Sequence, residues 1–423
     1  MTTPVILQAH NPILSANSND SLYRSDSHTN LTCLELFAGT GGLALGIHSS
    51  GFKPLALIEL NEFAVQTLKK NSKSALGISP EHILEKDALS IDYSEFTNRI
   101  DLLSGGPPCQ PFSTGGRKLG PNDHRNMFPT FIDVVAKTRP KAVLIENVKG
   151  LVRQCFREYL DYILKRLQFP SHTMKDNHTW YDHYKELCCL RESDFADEEQ
   201  YIVTHQLIDT ADFGVPQRRE RVIISAFRKD LGIKPFTLTA THSKEALLYD
   251  QWVSKVYWER HNIQPSQDHL GIRERLLVSS HQANFLKEEG IQPWRTVRDA
   301  LNNMPEPSPR GEEPSLLNHI QHPGARTYKS HIGSFWDYPS KALKAGTHGT
   351  PGGENMLRID KDGSVRYFTT REAARLQTFP DTWEFCGPWG ACIKQLGNAV
   401  PVEVGRLFAL EIYNRLKLSL KSY

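Results

Sequence analysis

One of the seven cysteines in this 423-residue chain has neighbours that a core cysteine would not need. It sits in Ser104-Gly105-Gly106-Pro107-Pro108-Cys109-Gln110-Pro111-Phe112-Ser113, where prolines fix the backbone on both sides of the thiol. An ordinary buried cysteine packs as a small hydrophobe; a rigid loop at the end of a strand instead presents sulfur for covalent addition. A second candidate is Glu146 in Ile145-Glu146-Asn147-Val148, at the end of the following apolar run and placed to act as an acid. The third is Gln217-Arg218-Arg219-Glu220-Arg221. Its alternate guanidiniums, Arg219 and Arg221, share one side of an extended chain, although a basic run by itself is more often a solvated face.

Upstream, Leu34-Glu35-Leu36-Phe37-Ala38-Gly39-Thr40-Gly41-Gly42 places a glycine-rich turn between a strand and a helix. There the backbone approaches a ligand closely at the carboxyl edge of a sheet. Gly39, Gly41 and Ala44 satisfy the dinucleotide fingerprint, and Glu59 follows at a distance suited to ribose hydroxyls. Asp87, after a third strand, suits an adenine amino group. These features fit any adenosine-containing cofactor, NAD included, but a hydride-transfer enzyme has no use for the Cys109 thiol.

The elements that must position these residues are legible as an alternation. Leu31 to Phe37, Pro54 to Leu60, Ile100 to Ser104, Ala142 to Val148, Tyr201 to Ile208 and Val222 to Phe227 read as strands. Leu151 to Gln168 reads as a helix, with apolar residues three and four apart. Strand and helix in turn imply an α/β fold with a doubly wound, mostly parallel sheet. Residues 1–30, rich in Ser, Asn and Thr, read as a disordered tail, and residues 31–231 as the sheet domain. Ser171 to Gln200 reads as a solvated insertion; its histidines and cysteines lack zinc-ligand spacing, so no metal is expected. Residues 232–365, where Trp252, Trp258, Trp294 and Trp336 are interleaved with arginines, read as a smaller irregular domain. Residues 366–400 read as a segment that supports the irregular domain and closes the ligand site, and residues 401–423 as a helix packing back on the sheet domain, with Val404, Phe408, Ile412 and Leu416 on the face it buries.

Composition adds little to the choice of partner. Net charge is only +2, short of the strongly basic balance that announces nucleic acid. Hydrophobic residues at 39% and charged residues at 23% suit a folded chain rather than a disordered one. There is neither a secretory leader nor an apolar run long enough to span a bilayer, which points to a cytoplasmic protein.

Taken together, these motifs resemble those of the C5-cytosine DNA methyltransferases of the bacterial type II modification kind, in the family's order from about Leu31 to Leu416. The Pro-Pro-Cys-Gln loop, Glu146-Asn147-Val148 and the Gln-Arg-Arg-Glu-Arg run are its most specific parts. The resemblance implies a methyltransferase fold of Rossmann type and S-adenosylmethionine as methyl donor. It implies that Cys109 attacks carbon 6 of a cytosine flipped out of double-stranded DNA, that Glu146 contacts N3, and that Arg219 and Arg221 orient base and loop. Cofactor contacts are expected from Phe37, Ala38, Gly39, Thr40, Gly41, Gly42, Leu43, Glu59, Leu60, Asp87, Ala88 and Pro108, and from Asn398 and Val400 in Gly397-Asn398-Ala399-Val400. Glu35 stands where the family more often has Asp.

DNA contacts are expected from Gln110 and Ser113, from Arg371 in the segment that organises recognition, and from Thr347 and Thr350 in the glycine-rich stretch 346–353. Asp123-His124-Arg125-Asn126 matches the loop after the nucleophile. Also expected are a monomer acting at the bacterial nucleoid and either a cognate restriction endonuclease encoded elsewhere or the role of an orphan methylase. The rival readings are a transfer-RNA cytosine-5 methyltransferase and a catalytically silent nucleic-acid-binding relative.

Overall fold

Strands buried on both faces read as nearly continuous apolar runs, and the central strands here are of that kind. In β4 (Leu102–Gly105) every residue is buried, and in β5 (Ala142–Val148) all but the last. With β1 (Thr32–Leu36), β2 (Lys53–Glu59), β3 (Ile83–Glu85), β6 (Tyr201–Asp209) and β7 (Glu220–Arg228) they form one seven-stranded sheet in the order β3-β2-β1-β4-β5-β7-β6. The first five strands are parallel, while β7 runs antiparallel between β5 and β6. The computed structural model describes residues 31–108, 112, 123, 125–265, 290–327, 332–346, 353–359 and 363–420. The expected tail at 1–30, and Cys109, Gln110, Ser113, His124, Thr347 and Thr350, lie outside the described residues.

The strand order reverses between β1 and β4, where Leu36 pairs with Gly105. Open α/β sheets bind ligands at such a switch point, outside the carboxyl ends of the strands. The turns after β1, β2, β3, β4 and β5 all leave from this edge. Because β7 is antiparallel, its start reaches the same edge, with Arg221 opposite Val148.

Helices cover both faces: α1 (Gly42–Ser49), α2 (Glu62–Ala75), α3 (Phe128–Thr138), α4 (Arg157–Gln168) and α5 (Trp180–Cys189). The helix expected from Leu151 is shorter than its apolar spacing suggested. Two 3₁₀ turns occupy Lys149–Val152 and Gln154–Phe156, separated by Arg153 at φ −67°, ψ 150°, an extended conformation that interrupts helical winding. The segment 171–200 is likewise more than a solvated insertion. A capping box of Thr179 and Asp182 starts α5, His183 and Leu187 are fully buried, and Trp180 packs edge-on against Tyr159 with ring centroids 5.2 Å apart.

Farther along come α6 (Lys244–Trp252), α7 (Val256–His261), α8 (Val297–Leu301), α9 (Thr370–Leu376), α10 (Trp389–Asn398) and α11 (Val402–Leu420). Leu247, Tyr257, Trp258 and Trp294 build a small satellite core with Ala211. Val297, Leu343 and Leu357 instead join Ala38, Leu68 and Trp383 in a larger cluster, so part of the 232–365 region is packed into the same core as the sheet. The α11 face with Val404, Phe408, Ile412 and Leu416 is buried in a third cluster together with Leu43 and Ile47 of α1.

Candidate active site

The glycine loop after β1 is built for close approach. Phe37 and Gly39 hold positive φ values of 56° and 54°, and a Cβ placed on Gly39 would meet nothing within 4 Å, leaving open space above the loop. Gly42 starts α1 flush against the C-terminal segment; a Cβ there would fall 2.1 Å from the carbonyl oxygen of Val400. Glu59 closes the side of the cradle. Its carboxylate accepts from the Gly39 amide at 2.7 Å and from the amides of Leu60 and Asn61 at 2.9 and 2.7 Å. Beyond it Leu60 is 64% exposed, and Asp87 is exposed with Oδ1 accepting from the Leu89 amide. Half-buried Pro108 and exposed Asn398 belong to the same expected set.

Five of the expected cofactor residues, Val400 among them, have buried side chains. The Thr40 hydroxyl is buried and donates to Oε1 of Gln395 at 2.9 Å, away from the cradle. The Leu43 side chain lies in the core shared with α11, and the methyls of Ala38 and Ala88 are buried. Gln395 was not singled out by sequence reasoning. The same oxygen accepts from Thr67 of α2 at 2.8 Å, while Nε2 donates to the Cys386 carbonyl at 2.9 Å. Nothing local marks it, because the two hydroxyls that donate to it lie more than 300 residues away in the chain.

Behind the loop, Glu35 is fully buried. Burial pushes its carboxyl up to about 8, against an opposing hydrogen bond from Ser104 at 3.4 Å. The acid thus enters the folded state carrying its proton near neutral pH.

On the other side of the switch point, β4 delivers Gly106-Pro107-Pro108 toward Cys109, which lies outside the described residues. Asn147 fixes this approach by donating from Nδ2 to the Pro107 carbonyl at 3.0 Å. Its neighbour Glu146 is 8% exposed, and a Cβ on Gly106 would sit 3.5 Å from its Oε2. Arg221 reaches across from β7 to place Nε 2.5 Å from Oε1 of Glu146. Three residues after Cys109, the ring of Phe112 is fully buried and stacks on Tyr159 with centroids 5.6 Å apart. The hydroxyl of Tyr159 receives a hydrogen bond from the Asn126 amide, so α4 holds residues on both sides of the loop.

The two arginines expected to work together are separated by the structure. Arg221 faces Glu146, but the terminal nitrogens of Arg219 donate to the carbonyls of Leu343, Gly397 and Ala399 at 3.0, 2.6 and 3.1 Å. Arg371 is a clearer correction. It is fully buried, donates to the carbonyls of Leu317, Pro380 and Trp383, and burial lowers its pKa to about 10. It braces the chain and has no surface to offer DNA. The tryptophans of the 232–365 region also turn inward: Trp258 and Trp294 are buried, Trp294 donates to Asp212, and Arg298 covers Trp336 at 5.2 Å.

Comparison with known proteins supplies the family. The chain belongs to the C-5 cytosine-specific DNA methylase family, whose model it matches over residues 31–174 and 182–414. It is therefore an enzyme, a methyltransferase acting at carbon 5 of cytosine in DNA. The Type II methyltransferase M.Eco47II of Escherichia coli is 30% identical over 377 residues, covering 88% of this chain and 76% of that protein. M.PspPI of a Psychrobacter species is 30% identical over 390 residues, covering 92% and 80%. Among solved structures, an E. coli prophage-encoded protein described as a DNA modification methyltransferase matches with TM-score 0.54 at 18% identity over 92% of this chain and 99% of its own. The methyltransferase EhMeth of Entamoeba histolytica matches with TM-score 0.53 at 15% identity, with the same coverage. At these identities the two structures establish the fold.

Proposed function

We propose that this methylase works by covalent catalysis from Cys109 on a cytosine rotated out of double-stranded DNA, with S-adenosylmethionine in the cradle after β1. The observation that carries the reading is the Glu146–Arg221 ion pair at the switch-point edge, beside the strand end that leads into Cys109. A cytosine inside a duplex cannot reach such a group, so the nucleotide must leave the stack.

The cradle suits the cofactor. Open space over Gly39, a carboxylate at the end of β2 for ribose hydroxyls, exposed Leu60 beside it and Asp87 after β3 for an amino group are the acceptors and surfaces an adenosyl group requires. Phe37, Pro108, Asn398 and Val400 complete the set. Bound there, S-adenosylmethionine supplies the electrophilic sulfonium methyl that carbon 5 receives.

The protein's own part is to make carbon 5 nucleophilic. The Cys109 thiolate bonds to carbon 6 and the ring's electron pair shifts toward carbon 5 as N3 takes the proton of the Glu146 carboxyl, which N3 returns when the thiolate is eliminated. Arg221 holds Glu146 in place and compensates its charge in a site with little water. After methylation the carbon 5 proton passes to water, the sulfur–carbon 6 bond breaks and the thiolate is restored. Residues 232–365 supply sequence recognition, with Gln110, Ser113, Thr347 and Thr350 toward DNA. The enzyme acts as a monomer at the bacterial nucleoid beside a restriction endonuclease of matching specificity, as befits relatives named Type II methyltransferases.

Transfer of labelled methyl groups from S-adenosylmethionine tests the reading. Duplex DNA is expected to acquire 5-methylcytosine at one short sequence, and the Cys109→Ser variant to bind cofactor yet transfer nothing measurable. Label in transfer RNA and none in DNA would overturn the assignment of substrate.

A further inference from the structure

Arg219 occupies a junction of three chain segments. Its own strand entry runs beside residues 340–343: Gln217 bridges Ser340, the Arg218 amide donates to the Ser340 carbonyl at 2.8 Å, and the Ser340 amide donates to the Pro216 carbonyl at 3.0 Å. One terminal nitrogen of the guanidinium then reaches Leu343 in this second segment, and the other reaches Gly397 and Ala399 in the third. The second and third segments touch directly as well. A Cβ on Gly397 would lie 2.3 Å from the Ala345 nitrogen, so only glycine allows them to lie this close.

The second and third segments lead to different parts of the proposed site. The Gly397–Val400 segment abuts the cofactor loop, with the Val400 carbonyl against Gly42 and Gln395 of α10 bonded to the Thr40 hydroxyl. Residues 343–345 belong to the 232–365 region, and Asn355 holds them by exchanging hydrogen bonds with the Lys344 backbone at 2.9 Å each. A planar guanidinium can bind two segments at fixed angles, whereas an ammonium cannot present the same fork.

We propose that Arg219 is a positioning residue that couples the cofactor cradle to the DNA-recognition segment, leaving the target base to Glu146 and Arg221. This rests on the reading above that the cradle takes S-adenosylmethionine and that residues 232–365 supply sequence recognition. Ligands that both favour the arrangement fixed by Arg219 strengthen one another's binding, and by equal factors.

The test is calorimetric titration of the full chain with S-adenosylhomocysteine, with and without duplex DNA bearing the target sequence. Wild type is expected to bind S-adenosylhomocysteine about tenfold more tightly when DNA is present. Arg219→Met should reduce that factor to below about twofold, and Arg219→Lys, which keeps the charge in the same buried place, should fall between. Both should still form a covalent adduct with 5-fluorocytosine DNA at saturating cofactor. The lysine variant keeps the test valid if the methionine variant fails to fold. Undiminished coupling in Arg219→Lys together with loss of the adduct would overturn the proposal and return Arg219 to the base. Absence of coupling in wild type would overturn it too. Failure of wild type to bind either ligand would overturn the underlying functional reading instead.

Discussion

The two halves of the switch-point edge carry acids of opposite character. On the side of the glycine loop Glu59 and Asp87 stand at the rim, their oxygens accepting from backbone amides within one short turn or an adjacent loop. On the side of β4 and β5, Glu146 is buried and held by a guanidinium from a different strand. An acid at a rim held by amides can exchange those bonds for ligand hydroxyls at little cost. A buried acid with a charged partner cannot be rearranged cheaply, because separating the pair strands a charge in a poorly solvated place. The proposed function accordingly gives cofactor binding to the adaptable half and chemistry to the rigid half.

Breaking the rigid half should have the larger consequences. Arg221→Met leaves Glu146 buried without its partner, and a loss of about 3 to 5 kcal/mol in urea-unfolding stability is expected. A steep fall in kcat should accompany it. Arg221→Met with unchanged stability would mean that the pair is loose in solution.

On the adaptable half, Glu59→Ala should raise KM for S-adenosylmethionine by about 10- to 100-fold, the loss of hydrogen bonds to a charged group. Its kcat at saturating cofactor should stay close to wild type. A variant that lost kcat and kept KM would erase the contrast between the halves.

The smallest effect concerns Glu35, which sits behind both. Its native carboxyl holds a proton to about 8, whereas the unfolded chain sheds it near 4.5. Between those values the native state binds more protons than the unfolded one, so the contribution of this group to stability falls as pH rises. Glu35→Gln should flatten that part of the pH dependence, as read from urea midpoints across the interval. An unchanged slope would mean that Glu35 is ionised in the fold.

How far these assignments could be read from the chain follows from the range of the interactions behind them. The strands, the glycine turn, the proline-flanked cysteine and Glu146 are encoded within a few neighbouring residues, and such patterns survive in a linear string. The division between Arg219 and Arg221 is not of that kind. Both lie on one side of an extended chain, and their difference comes from partners far away, Glu146 for one and Leu343, Gly397 and Ala399 for the other. Arg371 misled for a similar reason, since three carbonyls from residues 317, 380 and 383 bury a charge that sequence alone places on a surface. The aromatic and histidine residues of 171–200 looked polar and solvated because their support, Tyr159 and Tyr162, belongs to another helix.

The central claim is that Cys109 forms a bond to the base, and trapping that bond tests it most directly. Incubation with S-adenosylmethionine and target DNA containing 5-fluorocytosine should yield a complex that survives denaturing electrophoresis, because fluorine cannot leave carbon 5 as a proton does. Peptide mapping should locate the nucleotide on Cys109, and Cys109→Ser should yield no complex. No adduct under conditions in which ordinary cytosine is methylated, or an adduct that persists in Cys109→Ser, would contradict the account.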